Sequence, residues 1–170
     1  PFSSVVRTEK SKGYTEPDPR DDLSGMDFAR KLIILGREMG LQLELSDVQL
    51  ESLVPRALAS CTTDEFFERL PAFDTAMAER LQAARSRDRV LRYIGSLDAA
   101  SGKASVGLVE LERSHTFANI NLTDNVVRFL TQRYNQNPLV VQGPGAGPEV
   151  TAGGVFGDLL RVCAYLGVKL

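Results

Sequence analysis

Residues 13–31 read GYTEPDPRDDLSGMDFARK and join a proline-spaced acidic run to the start of an amphipathic helix. The two prolines fix their own φ angles and bias the residues before them towards extended conformations, which predicts a stiff, extended segment over residues 15–20. Ser24 is placed as a helix N-cap, and Asp27, three residues later, as its acidic partner in a capping box. The stretch therefore predicts a rigid acidic loop that leads directly into a helix.

This helix is predicted to run from Gly25 to about Met39 and to be closed by Gly40. Its apolar residues recur three or four positions apart and form one stripe: Phe28, Leu32, Leu35 and Met39, broadened by Ile33 and Ile34. Asp27 and Lys31 lie one turn apart with the acid first, the order that favours an ion pair. The simplest interpretation is an exposed pair of little energetic consequence. The carboxylates beside an apolar stripe also permit a pocket for a small cationic molecule.

The whole stretch closely resembles the signature of homoserine dehydrogenases, which reduce L-aspartate 4-semialdehyde to L-homoserine. A second resemblance is NPLVVQGPGAGPEVTAGGVFGD at residues 137–158. Shorter ones are ESLVP at 51–55, VLRYIG at 90–95 and DNVVRF at 124–129. The resemblance covers nearly all of the chain, and its details are most similar to versions fused behind an aspartokinase, including plant-type ones.

The resemblance implies an NADP- or NAD-dependent enzyme of the aspartate pathway, which serves threonine and methionine biosynthesis. It implies that Glu16 and Asp27 bind the α-ammonium group of the substrate. Lys31 would donate a proton to the aldehyde oxygen as hydride arrives, and Asp22 would fix Lys31 or contact the substrate. Carboxylate neighbours favour the charged ammonium form of Lys31, which suits a proton donor in the reduction direction. Gly147 is the residue expected to contact the nicotinamide end of the cofactor.

Glycines at 143, 145 and 147 lie between a predicted strand and a helix over residues 150–166. Such a turn lets a ligand approach the backbone, but its spacing is not the GxGxxG fingerprint, and a tight structural turn is an equal alternative on the residues alone. The resemblance places the main dinucleotide-binding unit, and a possible monovalent-cation site, N-terminal to these residues. The chain begins without methionine inside a predicted helix, so we expect a piece of a longer protein.

The remaining pattern predicts an α+β fold: a mixed, largely antiparallel sheet with helices packed on it. A C-terminal helix would return to a Rossmann domain outside the chain. Further helices are predicted over residues 1–12, 63–70 (capped by Thr62 or Thr63) and 72–86, and a short extended segment over 42–53. Four strands are predicted at residues 90–97, 103–112, 124–134 and 138–142. The expected organisation is a substrate-binding and catalytic region at 1–89, a dimerising sheet region at 90–142, and the glycine turn and helix at 143–170.

The bulk properties exclude several classes of function. The chain has 170 residues, 43% of them hydrophobic, and a formal net charge of −2, so it has no basic field for nucleic acid. No apolar run approaches the ~20 residues that span a bilayer. Cys61, Cys163 and the single His115 match no metal or redox spacing; both cysteines are expected to be buried free thiols. The expected partners are a second copy of the chain and a possible fused aspartokinase, in the cytoplasm or, for a plant-type protein, the plastid stroma.

A non-catalytic module remains an alternative: a dimerisation or regulatory domain with an acidic pocket for a free amino acid. It would use Glu16 and Asp27 in the same way and leave Lys31 as an ion-pair partner. A different semialdehyde dehydrogenase would require a nucleophilic cysteine, and neither Cys61 nor Cys163 has the setting for one.

Overall fold

The computed structural model describes residues 1–120, 124–145 and 147–168. The chain divides into two compact units, Pro1–Ser114 and His115–Leu170. The fold class is α+β, as predicted, with a small mixed sheet in the first unit and an antiparallel pair in the second. The three-part functional division stays a prediction, and its residues 121–123, 146 and 169–170 lie outside the described residues.

The first unit contains five α-helices, three short 3-10 helices and three strands; only the α-helices and strands are labelled. In chain order they are α1 (Phe2–Ser11), α2 (Pro19–Leu23), α3 (Met26–Glu38), β1 (Val48–Leu50), α4 (Thr63–Arg69), α5 (Asp74–Ser86), β2 (Arg89–Asp98) and β3 (Lys103–Glu112). β2 and β3 form the predicted hairpin, with Asp98 opposite Lys103. Of the extended segment predicted over 42–53, the strand β1 covers only three residues, and it pairs in parallel with β3. The sheet order is therefore β1-β3-β2.

The main core lies between α3 and this sheet. Its buried residues are Ala29, Leu32, Ile33, Leu43, Val48, Ala104 and Val106. The buried face of α3 differs from the predicted stripe: Phe28, Leu35 and Met39 are exposed, whereas Ala29 and Gly36 are buried. The small side chains allow close packing, since a Cβ atom at Gly36 would lie 2.6 Å from Leu43 Cδ1.

A second core lies among α1, α4 and the segment before α4. Val6, Leu58, Phe66 and Leu70 are buried there. Thr62 caps α4 as predicted, and its capping box with Glu65 lowers the pKa of the Glu65 carboxyl group. Asp74, at the start of α5, accepts hydrogen bonds from Ser3 N (2.7 Å) and Ser3 Oγ (2.6 Å), and these bonds tie α1 to α5.

The second unit contains β4 (Asp124–Phe129), β5 (Leu139–Pro144) and α6 (Pro148–Tyr165). The prediction that the strands over residues 90–142 form one sheet is wrong: among the described residues, β4 pairs with β5 alone, in a separate antiparallel sheet. β4 also ends at Phe129 rather than Tyr134, because the polar residues that follow turn back through the bond from Tyr134 N to Thr131 Oγ1 (3.1 Å). No residue of α6, all of which the structure describes, is buried.

Within the described ranges, no helix is both long and apolar enough to cross a membrane.

Candidate functional site

The acidic loop is more folded than the sequence predicts. Asp18 is the N-cap of α2, Pro19 occupies the first helical position, and Asp18 Oδ1 accepts a hydrogen bond from Arg20 N at 3.0 Å. The extended segment expected over residues 15–20 therefore ends at Asp18. An aspartate followed by proline is a favourable helix start, because the carboxylate accepts a free amide and the proline lacks one.

The start of α3 also differs from the prediction. Ser24 is the C-cap of α2, and Gly25, with φ of +74°, is the N-cap of α3. Ser24 Oγ donates to Asp21 O at 2.7 Å and accepts from Met26 N at 3.2 Å, so its hydroxyl bridges the two helices. The capping box with Asp27 is absent from this described junction. Neither α2 nor the tight turn that Gly25 makes possible was predicted from the sequence.

Asp27 and Lys31 form the predicted ion pair. Lys31 Nζ lies 2.7 Å from Asp27 Oδ2, one turn apart on α3. The Lys31 side chain is 68% exposed and the Asp27 side chain 69% exposed. An exposed pair stabilises a protein little. Both groups are, however, open to a ligand that arrives from solvent.

Asp22 contacts the backbone of the acidic loop rather than Lys31, and its expected contact with the substrate stays a prediction. Its Oδ2 atom accepts a hydrogen bond from the backbone N–H of Glu16 at 2.9 Å. Among these described residues no ion pair joins Asp22 to Lys31. Asp22 therefore fixes the backbone at Glu16, while the Glu16 residue itself is exposed. On the other side of the loop, Lys10 Nζ donates to Pro17 O at 3.0 Å.

The segment after β1 supports the junction between α2 and α3. Tyr93 Oη donates a hydrogen bond to Glu51 O at 2.7 Å. Burial, and to a smaller extent the nearby charge of Glu51, raises the pKa of Tyr93. The Glu51 carboxylate accepts Leu108 N at 3.0 Å and Arg80 Nη1 at 2.7 Å. Leu53 N donates to Leu23 O at 2.8 Å. The sequence contained ESLVP and VLRYIG but gave no signal that they meet.

Gly147 is the N-cap of α6 and has φ of +134°, a conformation that favours glycine. A Cβ atom on Gly147 would meet no atom within 4 Å, whereas one on Gly145 would lie 1.4 Å from Asn125 Nδ2. The two glycines thus differ: Gly145 permits a close contact inside the second unit, and Gly147 borders open space. A flat ring could approach the Gly147 backbone.

The remaining candidates carry little chemistry. No cluster of three or more His, Cys, Asp or Glu residues suited to a metal occurs in the described part of the chain. Cys61 and Cys163 are free thiols, but both are half-buried rather than buried, since Cys61 lies in a surface turn and Cys163 on the exposed helix α6. His115 Nδ1 accepts Phe117 N at 3.1 Å and caps a short turn.

Each unit has an open concavity among its described residues. A groove of about 270 Å³ lies on the sheet, lined by Ile94, Ser96, Ser105 and Val109 among others. The other, of about 440 Å³, lies beside the end of β4, lined by Phe129, Thr131, Arg133, Tyr134 and Leu139. Neither is lined by the predicted site residues, which are exposed residues of the first unit or lie at the Gly147 turn.

Comparison with known proteins gives consistent matches. The family model described as homoserine dehydrogenase matches residues 1–160. The bifunctional aspartokinase/homoserine dehydrogenase 2, chloroplastic, of Zea mays is 54% identical over 167 residues, which cover 98% of this chain and 18% of that protein. The homoserine dehydrogenase of Emericella nidulans is 47% identical over 171 residues, which cover 97% of this chain and 46% of that protein.

A solved structure shares the fold. The crystal structure of a Candida auris protein of unknown function matches with a TM-score of 0.90 and 46% identity, over 96% of this chain and 46% of that one. The chain thus spans less than half the length of each of these three proteins.

Proposed function

This chain belongs to the homoserine dehydrogenase family, and from that premise we propose that the full-length protein reduces L-aspartate 4-semialdehyde to L-homoserine with NADPH or NADH. The observation that carries the proposal is the exposed pair of Lys31 and Asp27, with Lys31 Nζ 2.7 Å from Asp27 Oδ2. The pair follows α2 and the acidic loop before it, in which Asp22 fixes the backbone N–H of Glu16.

The substrate carries an α-ammonium group, and the first unit offers carboxylates to bind it. We assign this role to Glu16 and Asp27, both exposed. Asp22 acts through Glu16, because its carboxylate already accepts the Glu16 amide at 2.9 Å. A charge-assisted hydrogen bond is stronger than a neutral one, so a fixed carboxylate favours the ammonium group over a neutral substituent.

Lys31 supplies the proton. An ammonium group has three donors, and its contact with Asp27 Oδ2 leaves others for a substrate oxygen. When bound, the nicotinamide supplies a hydride to the aldehyde carbon. The carbonyl electron pair then moves to the oxygen, and Lys31 Nζ–H stabilises that charge and transfers a proton to it. The ion pair with Asp27 holds the Lys31 side chain beside the proposed substrate ligands.

The residues at Gly147 fit an approaching nicotinamide ring, because the backbone there borders open space. The one parallel strand pair in the described residues, β1 with β3, has ESLVP after β1 in place of a glycine-rich phosphate-binding turn. We therefore propose that the cofactor phosphates, and any monovalent cation, bind to other parts of the full-length protein. Apolar side chains on α6 are exposed, such as Phe156, which is 60% exposed. This exposure supports the packing of a further domain against α6.

We propose that the protein is a homodimer and that the sheet of the first unit provides the contact. The face of this sheet opposite α3 bears apolar side chains, including Val109, which is 39% exposed. The bifunctional name of the Zea mays relative supports a fused aspartokinase, and its chloroplastic label supports a plastid location.

The test is an assay of the full-length protein with L-aspartate 4-semialdehyde and NADPH. We expect NADPH consumption that requires the semialdehyde, and L-homoserine as the product. The rival, a non-catalytic amino-acid-binding module, is consistent with the same exposed pair of Asp27 and Lys31. It predicts that L-homoserine binds to the protein but that NADPH is never consumed, and that result would overturn the proposal.

A further inference from the structure

Arg20 makes a set of directed contacts unlike any other side chain near the acidic loop. Its Nε lies 3.0 Å from both carboxylate oxygens of Asp18, and its Nη2 lies 2.5 Å from Asp18 Oδ2. Its Nη1 donates to three carbonyl oxygens, of Leu58 (3.2 Å), Ala59 (3.4 Å) and Cys61 (2.5 Å). The side chain is only 17% exposed. The guanidinium group thus joins the loop to the segment that precedes α4.

The segment before α4 is held in place by buried side chains of the second core. Leu58 and Phe66 are fully buried in the second core, and the Arg20 guanidinium lies 5.7 Å from the centre of the Phe66 ring. Thr63 Oγ1 adds a contact of 3.4 Å to Asp18 Oδ2. The hydrogen bonds from Arg20 hold the pKa of Asp18 at about 2, so the carboxylate stays ionised throughout the range in which the enzyme would work.

The same loop carries the proposed substrate ligands. Asp18 caps α2, and α2 carries Asp22, whose carboxylate holds the amide of Glu16 at 2.9 Å. A displacement of Asp18 would move both ends of this link, since Glu16 lies two residues before it and Asp22 four residues after it. The position of the Glu16 carboxylate therefore depends on Arg20 although Arg20 itself binds no substrate in this scheme.

We propose that Arg20 is a positioning residue that sets substrate affinity by locking the Glu16–Asp22 loop onto the second core. The inference rests on the proposed function. A lysine cannot replace the arginine, because a point-like ammonium lacks the planar fork that reaches Asp18 and three carbonyls at once. Misplacement of a substrate-binding group by about 1 Å can cost up to ~10²-fold in kcat/KM, and for a group that binds the substrate ammonium most of that loss should be in KM.

The test uses Arg20→Ala and Arg20→Lys in the full-length enzyme. We expect Arg20→Ala to raise the KM for L-aspartate 4-semialdehyde about tenfold or more, with a smaller loss in kcat and an NADPH Kd within about twofold of wild type, because the loop binds substrate rather than cofactor. Arg20→Lys should also raise this KM, at least about threefold. In a double-mutant cycle with Asp18→Asn the effects on KM should be non-additive, because Arg20 and Asp18 contact each other and hold the loop together; we call this pair the Arg20 clamp.

Asp74→Ala is the matched control. It removes a charged group that ties α1 to α5 in the same unit, through two bonds from Ser3, and it touches no residue of the loop. We expect lower thermal stability with an unchanged KM. If Asp74→Ala raises KM as Arg20→Ala does, the Arg20 effect is general destabilisation and the proposal is overturned.

Arg20→Lys keeps the test decisive if Arg20→Ala does not fold. A wild-type KM in folded Arg20→Lys, together with a raised KM in Glu16→Gln, would refute the positioning role of Arg20. The proposed function would then still hold. A wild-type protein that never consumes NADPH with the semialdehyde would instead refute the proposed function itself.

Discussion

The backbone of Gly25 approaches Tyr93 so closely that a Cβ atom on Gly25 would lie 1.9 Å from the Tyr93 hydroxyl oxygen. Gly25 also has φ of +74°, which side-chain-bearing residues rarely adopt. The Tyr93 hydroxyl is held in place by its bond to Glu51 O at 2.7 Å. Two independent constraints therefore require glycine where α2 meets α3, five residues after Arg20 and two before Asp27.

Gly25→Ala is expected to destabilise the full-length protein by about 2–5 kcal/mol, the sum of a left-handed backbone cost of about 1–2 kcal/mol and an overpacking cost of about 1–3 kcal/mol. Gly40→Ala is the matched control, because Gly40 has φ of +86° but open space where its Cβ would lie. We expect Gly40→Ala to cost only the backbone part, about 1–2 kcal/mol. Urea unfolding monitored by circular dichroism measures both.

Adding Tyr93→Phe separates the two causes at Gly25. Without the hydroxyl oxygen, the double variant should recover part of the loss seen in Gly25→Ala, because the nearest clashing atom is gone. Equal destabilisation by Gly25→Ala and Gly40→Ala, with no recovery in the double variant, would show that the close approach does not matter.

The ionised Asp18 carboxylate should stabilise the fold in a pH-dependent way. Its pKa falls from 3.8 to about 2 in the folded state, chiefly because Arg20 donates to it. A depressed carboxyl pKa contributes stability that is present above pH 3.8 and is lost as pH falls through about 2. We expect Asp18→Asn to lose about 1–2 kcal/mol at pH 7, after allowance for solvent screening.

Denaturation of wild type and Asp18→Asn from pH 7 down to pH 2.5 provides the measurement. The difference in unfolding free energy should stay constant down to about pH 4 and then shrink. Asp64→Asn, in the first turn of α4, is a suitable control for the removal of one carboxylate. A difference between wild type and Asp18→Asn that stays the same at every pH would mean that the charge on Asp18 contributes nothing.

The sequence predicts most elements of this chain because their signals are local. The capping pair Thr62 and Glu65, the hairpin between β2 and β3, and the helix that carries Lys31 all follow from patterns within about ten residues. The ion pair of Asp27 and Lys31 was predictable for the same reason, since residues four apart on a helix face each other.

The misses involve contacts between distant residues. The parallel pairing of β1 with β3 joins residues more than fifty positions apart and leaves no mark on a three-residue strand. Ser24 is the C-cap of α2 rather than the predicted N-cap of α3, and its hydroxyl contacts both helices, so its type and spacing alone do not distinguish the two positions. The contacts of Arg20 leave no local signal in the sequence, because its carbonyl partners lie some forty residues away.

The sheet of the first unit should mediate dimerisation. Val109 lies on the sheet face opposite α3 and lines the open groove there. Val109→Asp should convert the full-length dimer to a monomer, because a charge buried at an interface without a partner is strongly unfavourable. Val5→Asp is the control, since Val5 is 58% exposed on α1 and should leave the dimer intact. Multi-angle light scattering at micromolar concentration measures the mass; a wild-type monomer would contradict the proposal.

Lys31→Ala in the full-length enzyme should lower kcat by about 10²-fold or more, the scale expected for loss of a positioned proton donor. Arg30→Ala is the control: Arg30 is the preceding residue on α3, equally cationic and exposed, but it points from a different part of the helix surface. We expect Arg30→Ala to keep kcat within about twofold of wild type. Steady-state NADPH oxidation measures both, and near-normal kcat in a folded Lys31→Ala variant would remove Lys31 from the mechanism.

Glu16→Gln should weaken substrate binding by about 1–3 kcal/mol, the contribution of a charge-assisted hydrogen bond. The substitution isolates the charge of the side chain, because the link to Asp22 uses the backbone N–H of Glu16 and survives the change. NADPH affinity should barely move. Glu9→Gln serves as the control, since Glu9 is an acidic residue of α1 that pairs with Lys12 at 3.0 Å and takes no part in the proposed site.

Isothermal titration with L-homoserine and, separately, with NADPH measures the two affinities for each variant. We expect Glu16→Gln to bind L-homoserine more weakly and to keep its NADPH affinity and its melting temperature. Glu9→Gln should bind both L-homoserine and NADPH as wild type does. The reverse pattern, weaker NADPH binding with intact homoserine binding, would move the Glu16 carboxylate from the substrate to the cofactor. It would also remove the basis of the positioning role proposed for Arg20, which is to hold that carboxylate where the substrate ammonium would bind.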